Sequence, residues 1–259
     1  MRRFVAFVVV AAGTGACGDT TAGKLCQPGD ATVCGDGFQC LTFCDAATGP
    51  QSVCTPSFGS EAGDDFDNEA LIDDKVTFGQ LGNVRVFDGN LRIELSGVKG
   101  VALPLVEEVH GNLSVVGTDI ECLSLPRLKT VDGRLTLELN EKLERNELAS
   151  LQTAGDVIVT DNPALAELLW TSASRFAGDV VIDGNTSLDI VNFGSLQTVG
   201  GDFALRGDNL RQLHIDVLED VAGCVDVEFA AGACAVPPAL DGVTCCDATL
   251  RRDDCVGCP

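Results

Sequence analysis

Tyrosine is absent from this sequence and tryptophan occurs once, so any aromatic platform for bases or sugar rings would have to be built from phenylalanine. Positive charge is scarce too. Seventeen Lys and Arg against 39 Asp and Glu give a net charge of −22, which repels phosphate backbones and anionic membrane surfaces. Nucleic acid is therefore excluded as a partner. There are only two histidines, and the only long apolar run, Phe4 to Ala12, is too short to span a bilayer as a helix. No G-x-x-x-x-G-K-[ST] phosphate loop and no strand–helix G-x-G-x-x-G is present.

What the chain does have is cysteine, 13 in all. Arg2-Arg3, the apolar run and the small residues Gly13 to Ala16 lead directly into Cys17, in the order expected of an export signal. The arrangement resembles a bacterial lipoprotein signal, although Thr14 stands where such signals usually carry leucine. The resemblance implies removal of residues 1–16, acylation of Cys17 and anchoring to a membrane through the lipid. Gly18, rather than Asp, follows the cysteine and favours the outer membrane or cell surface.

The other twelve cysteines are an even number and are read as disulfide candidates in an oxidising compartment. Cys26, Cys34, Cys40, Cys44 and Cys54 lie early and Cys122 stands alone, while Cys224, Cys234, Cys245, Cys246, Cys255 and Cys258 lie late. Spacing does not give their connectivity. Residues 17–56 then form a Cys-rich N-terminal module, and residues 229–259 a Cys-rich C-terminal cap. Residues 57–75 are acidic and lack the spacing of a calcium loop, so they are expected to form a solvated linker that partly covers one end of the central region.

That central region, from about residue 76 to 228, repeats itself. Gly89, Gly111, Gly133, Gly155, Gly178, Gly201 and Gly223 recur at steps of 22 or 23. Two residues after each Gly stand Leu91, Leu113, Leu135, Val157, Val180, Phe203 and Val225, and four after stand Ile93, Val115, Leu137, Val159, Ile182, Leu205 and Val227. Further apolar columns lie two and five residues before each Gly, and Trp170 falls in an apolar column with Leu125 and Phe193. Seven residues after the Gly, the column Ser96, Thr118, Asn140, Asn162, Asn185 and Asp208 is polar and is assigned to the bend after the strand. One such turn cannot bury its own apolar face, whereas stacked turns share one core with strands about 4.8 Å apart. The expected fold is mainly β, a right-handed single-stranded β-helix or leucine-rich-repeat-like solenoid of about seven turns. The phrase G-x-L-x-I supplies the strand of each turn.

The pattern L-x-x-V-x-G-x-L-x-I-x-x-N-x-x-L, seen in Leu128, Val131, Gly133, Leu135, Leu137, Asn140 and Leu143, resembles the receptor L domain. The resemblance covers more than half of the chain. It implies a flattened β-solenoid, capped at its ends, that serves binding or architecture.

Only the residues one, three and five after each Gly are free to face outward. In turns four to six they include Asp156, Asp179 and Asp202 in one column and Ile158, Val181 and Ala204 in the next. Stacked carboxylates can recruit a cation, Ca²⁺ in particular, or accept hydrogen bonds from local amides. The apolar stripe beside them is the candidate ligand face. His110 and His214 lie about five turns apart in different columns and cannot share a catalytic site. The nearly uniform turns leave no room for the long loops that build a sugar cleft. The chain is thus expected to be a non-catalytic binding or adhesion module for a protein or glycan. A purely structural envelope role is the alternative, and a polysaccharide-acting β-helix enzyme ranks behind both.

Overall fold

The computed structural model describes residues 26, 31–34, 38–43, 51–56, 64–67, 69–73, 81, 84–206 and 209–230. The signal segment, Cys17, Cys44 and the late cysteines from Cys234 onward lie outside them. Within them the repeat is a parallel β-solenoid. Each turn carries up to three short strands: a leading strand ending just before the ruler glycine, a central strand after it, and a trailing strand about eleven residues beyond the glycine. In the third turn these are Thr130–Val131, Leu135–Glu138 and Arg145–Glu147. The expectation of one strand per turn is corrected accordingly. The columns before the glycine and near Trp170 also pair with their equivalents above and below.

The central strands form an eight-stranded parallel sheet, and the leading strands form another. Register follows the columns: Leu135 sits opposite Leu113 on one side and Val157 on the other, and Leu137 opposite Val115 and Val159. Each of these side chains is fully buried, while Thr136 and Glu138 between them are only half-buried. That is the alternation of a sheet with one wet face. Thr153-Ala154, which breaks the column two before the glycine, is accommodated by a one-residue shift that places Ala154 opposite Val131 and Phe176.

The stack begins earlier than its sequence signature. Asp64–Phe66 pairs in parallel with Val84–Phe87, and Ala70–Ile72 pairs with Leu91–Ile93. These two strands therefore belong to the solenoid, and the expected linker over 57–75 is corrected at them. Ala70 and Ile72 fill the inward columns, and Phe66 packs on Phe87 with ring centroids 5.8 Å apart; in the sequence no glycine precedes Ala70 by two residues as Gly89 precedes Leu91.

The trailing strands do not form one sheet but two of three strands each, with the gap between Arg145–Glu147 and Glu167–Leu169. At the gap the Asn146 side chain donates to the Glu167 carbonyl at 3.3 Å and accepts the indole N–H of Trp170 at 2.5 Å. Trp170 is fully buried, stacks on Phe193 at 5.6 Å and is core, as its column implies.

A hydrogen-bonded ladder runs through the interior. Asn140, Asn162 and Asn185 are buried at the bend after the central strand. Asn162 Oδ1 accepts from the backbone N–H of Asn140 at 3.2 Å and from its side-chain amide at 3.0 Å, and Asn185 serves Asn162 in the same way at 3.0 Å. Each Nδ2 also donates to a carbonyl of the preceding turn: Val115 from Asn140, Leu137 from Asn162 and Val159 from Asn185. Thr118 caps the ladder through Asn140 Oδ1. Ser96 is exposed and stays out of it, and Asp208 lies outside the described residues.

Just before Thr118 and the three asparagines the backbone enters the left-handed region, at Gly117, Leu139, Asp161 and Gly184 with φ of 64°, 56°, 55° and 69°. Leucine pays for that conformation with Cβ crowding, and Leu139 is 52% exposed, so it recovers little by burial. Leu139→Gly is expected to stabilise the fold by about 0.5–1 kcal/mol, net of the greater freedom glycine has when unfolded. A rise in the urea unfolding midpoint would show it.

Near the N-terminus, Phe38–Phe43 and Gln51–Pro56 pair antiparallel. The disulfides Cys26–Cys40 and Cys34–Cys54 hold this region. Cys122 and Cys224 are disulfide-bonded as well, so every described cysteine is oxidised.

Candidate functional site

The residue after each ruler glycine has a structural duty. Asn90 Oδ1 accepts from the backbone N–H of Asn112 at 2.8 Å, and Asn112 Oδ1 from that of Arg134 at 2.8 Å. In the later turns Asp156, Asp179 and Asp202 accept from the N–H groups of Asp179, Asp202 and Cys224 at 3.1, 2.8 and 2.7 Å. The accepting oxygen lies over the glycine of the next turn, where any Cβ on Gly178, Gly201 or Gly223 would collide with it. None of these ruler glycines has a positive φ among the described residues, so they provide room rather than an unusual backbone angle. Arg134 is the exception, since its side chain has no acceptor to offer the next turn. The glycines themselves bond one another directly: the N–H groups of Gly133, Gly155 and Gly223 donate to the carbonyls of Gly111, Gly133 and Gly201 at 3.0, 2.8 and 2.9 Å.

Of the two readings of the Asp column, the geometry thus favours acceptance from local amides. One oxygen of each carboxylate is taken by an N–H, and Asp156 Oδ2 is held by Arg134 Nε and Nη2 at 3.1 and 2.9 Å. That leaves one oxygen each on Asp179 and Asp202, against the six to eight ligands Ca²⁺ requires. Calorimetric titration with Ca²⁺ is expected to give no saturable heat for the wild type or for Asp179→Ala.

The sequence-predicted stripe is where it was expected. Ile158 pairs with Val181 and Val181 with Ala204 on adjacent central strands, and all three are part-exposed on the outer face. The sequence did not reveal two neighbours. Arg206 is held by Asp226 at 2.6 and 2.8 Å, and an open groove runs along the glycine bend beside Asp132, Arg134 and Asp156. The Arg–Asp pairs join residues about one repeat apart, in columns that vary too much to be matched without the register.

Two turns toward the N-terminus, His110 lies between Asp88, 2.8 Å from Nδ1, and Glu108, 3.2 Å from Nε2. The hydrogen bonds to Glu108 and then Asp88 raise its pKa, with Asp132 adding attraction. The imidazolium can donate to both carboxylates and neutral imidazole to only one. The stabilising contribution is therefore complete below the ordinary histidine value of about 6.5 and is lost as pH rises through the folded-state value. Solvent screening keeps it small. An NMR titration of the His110 ring is expected to show a midpoint above about 6.5.

The sulfurs of Cys26, Cys34 and Cys54 lie within 4.8 Å of one another, a spacing that could suggest a metal centre. All three belong to disulfides and carry no thiolate to offer. Among the described residues no helix is long and apolar enough to cross a membrane.

The class that fold and face define is a disulfide-bearing parallel β-solenoid with a part-exposed apolar stripe on its broad central sheet. The chain matches no family model, no curated protein and no solved structure.

Proposed function

We propose that this is an exported, lipid-anchored envelope protein whose solenoid, of the receptor L-domain kind, is a non-catalytic binding or adhesion module. The observation that carries the binding reading is the outer face of turns four to six. Ile158, Val181 and Ala204 make a contiguous apolar stripe that the stacked core does not need, because Leu135, Val157, Val180 and their equivalents already fill the interior. Oxidation of every described cysteine supports export to an oxidising compartment. The signal-like segment ahead of Cys17 supports acylation there.

Two experiments test this. Metabolic labelling with palmitate should mark the wild type and leave Cys17→Ser unmarked; label on neither removes the anchor. The full mature chain, applied to protein and glycan arrays and to native cell surfaces, should capture a saturable partner. Its failure to do so on all three would favour the purely structural role.

A further inference from the structure

Except at Arg134, the residue after the ruler glycine accepts an N–H of the next turn from Gly89 to Gly201, and that duty does not need a charge. Asn90 and Asn112 meet the requirement at 2.8 Å with neutral amides. Turns four to six meet it with Asp156, Asp179 and Asp202, which places three carboxylates on successive strands about 4.8 Å apart. Arg134 offsets only the first of them. The same three turns also depart from their neighbours in the next outward column, where Ile158, Val181 and Ala204 succeed Arg92, Ser114 and Thr136. On the far side of the stripe the same three turns carry Thr160, Asp183 and Arg206, and Arg206 is neutralised by Asp226, so the acidic row lies on one side of the stripe only. Surplus negative charge and surplus apolar surface thus coincide on one patch.

We propose that this patch is a docking surface for a cationic, partly apolar segment of a partner protein, laid along the Ile158–Val181–Ala204 stripe beside the Asp156–Asp179–Asp202 row. The inference rests on the reading of the solenoid as a binding module and names the chemistry of its partner. Charge complementarity selects the occupant: a second copy of this chain, at −22, would be repelled, as would an anionic glycan. The Asp row lies two residues from the stripe along the strand, about 7 Å, so lysine or arginine side chains can reach it while apolar ones cover the stripe.

The probe is a synthetic peptide alternating lysine with valine and threonine, with a glutamate-for-lysine peptide as control, titrated into the full mature chain by fluorescence anisotropy. The lysine peptide should bind and the control should not, with affinity falling as NaCl rises. Asp156→Asn/Asp179→Asn/Asp202→Asn should keep the wild-type melting temperature and bind at least tenfold more weakly. Ile158→Thr/Val181→Thr, which preserves β-branched shape, should also weaken binding and decides the matter if the triple variant unfolds early. Equal binding of both peptides, or undiminished binding by these variants, overturns the proposal. Capture of a native-surface partner that ignores salt and the triple substitution overturns it too, while leaving the binding module intact; no capture at all removes both.

Discussion

Asn162→Ala is expected to destabilise the solenoid by about 4 kcal/mol, read as a lower urea midpoint with an unchanged slope. Asn162 is fully buried and serves both neighbouring turns. Its loss strands the Asn140 backbone N–H and one of the two N–H groups of the Asn140 side chain, and removes donors from the carbonyls of Leu137 and Thr160. A buried polar group left without a partner costs about 1–3 kcal/mol, and no water is expected to enter an interior formed by closely stacked turns. Asn140→Ala should behave alike, since it occupies the same ladder one turn earlier. Ser96→Ala, exposed and outside the ladder, should be close to neutral.

Trp170→Ala should cost about 4 kcal/mol, within the range for emptying a large buried aromatic site. The side chain is fully buried against Phe193, and Phe193 in turn meets Phe176 edge-on at 5.6 Å. The cavity would open in an aromatic cluster where the trailing sheet is interrupted, and Asn146 Oδ1 would lose the indole donor. Because the sequence has no other tryptophan, wild-type emission should be blue-shifted when folded and move to the red on unfolding. The variant, which lacks that signal, is monitored by circular dichroism. A loss under about 1 kcal/mol would place Trp170 outside the core.

The contrast between what the sequence revealed and what it hid has a physical origin. Apolar columns are legible because stacking obliges the same position in every turn to be apolar, so Leu113, Leu135, Val157 and Val180 announce both the period and the inward face. The turn ahead of Gly89 was not legible. In the sequence no glycine stands two residues before Ala70, and acidic residues surround Ala70 and Ile72, so only the pairing with Leu91 and Ile93 identifies it. The polar column of Asn140, Asn162 and Asn185 is visible as a column. Its burial is not, because a bend at the surface and a ladder in the interior select the same residue. The Asp column was similarly ambiguous: a carboxylate that holds an amide and one that holds a cation share one letter. The tie to an N–H one turn on is a property of register, and so is the collision that keeps Gly178 and Gly201 free of a Cβ.

Two ladders built from closely related side chains therefore have opposite tolerances, and equilibrium urea unfolding of Asp179→Asn beside Asn162→Asp tests this most directly. On the outer face the exchange keeps the Oδ1 acceptor that Asp202 N–H requires, so Asp179→Asn should stay within about 0.5 kcal/mol of wild type. In the interior the exchange sets a carboxylate against the Leu137 and Thr160 carbonyls and Asn185 Oδ1, so Asn162→Asp should lose several kcal/mol or fail to fold. Equal losses in the two variants would contradict the separation of a stack-holding interior from an outer face free for binding.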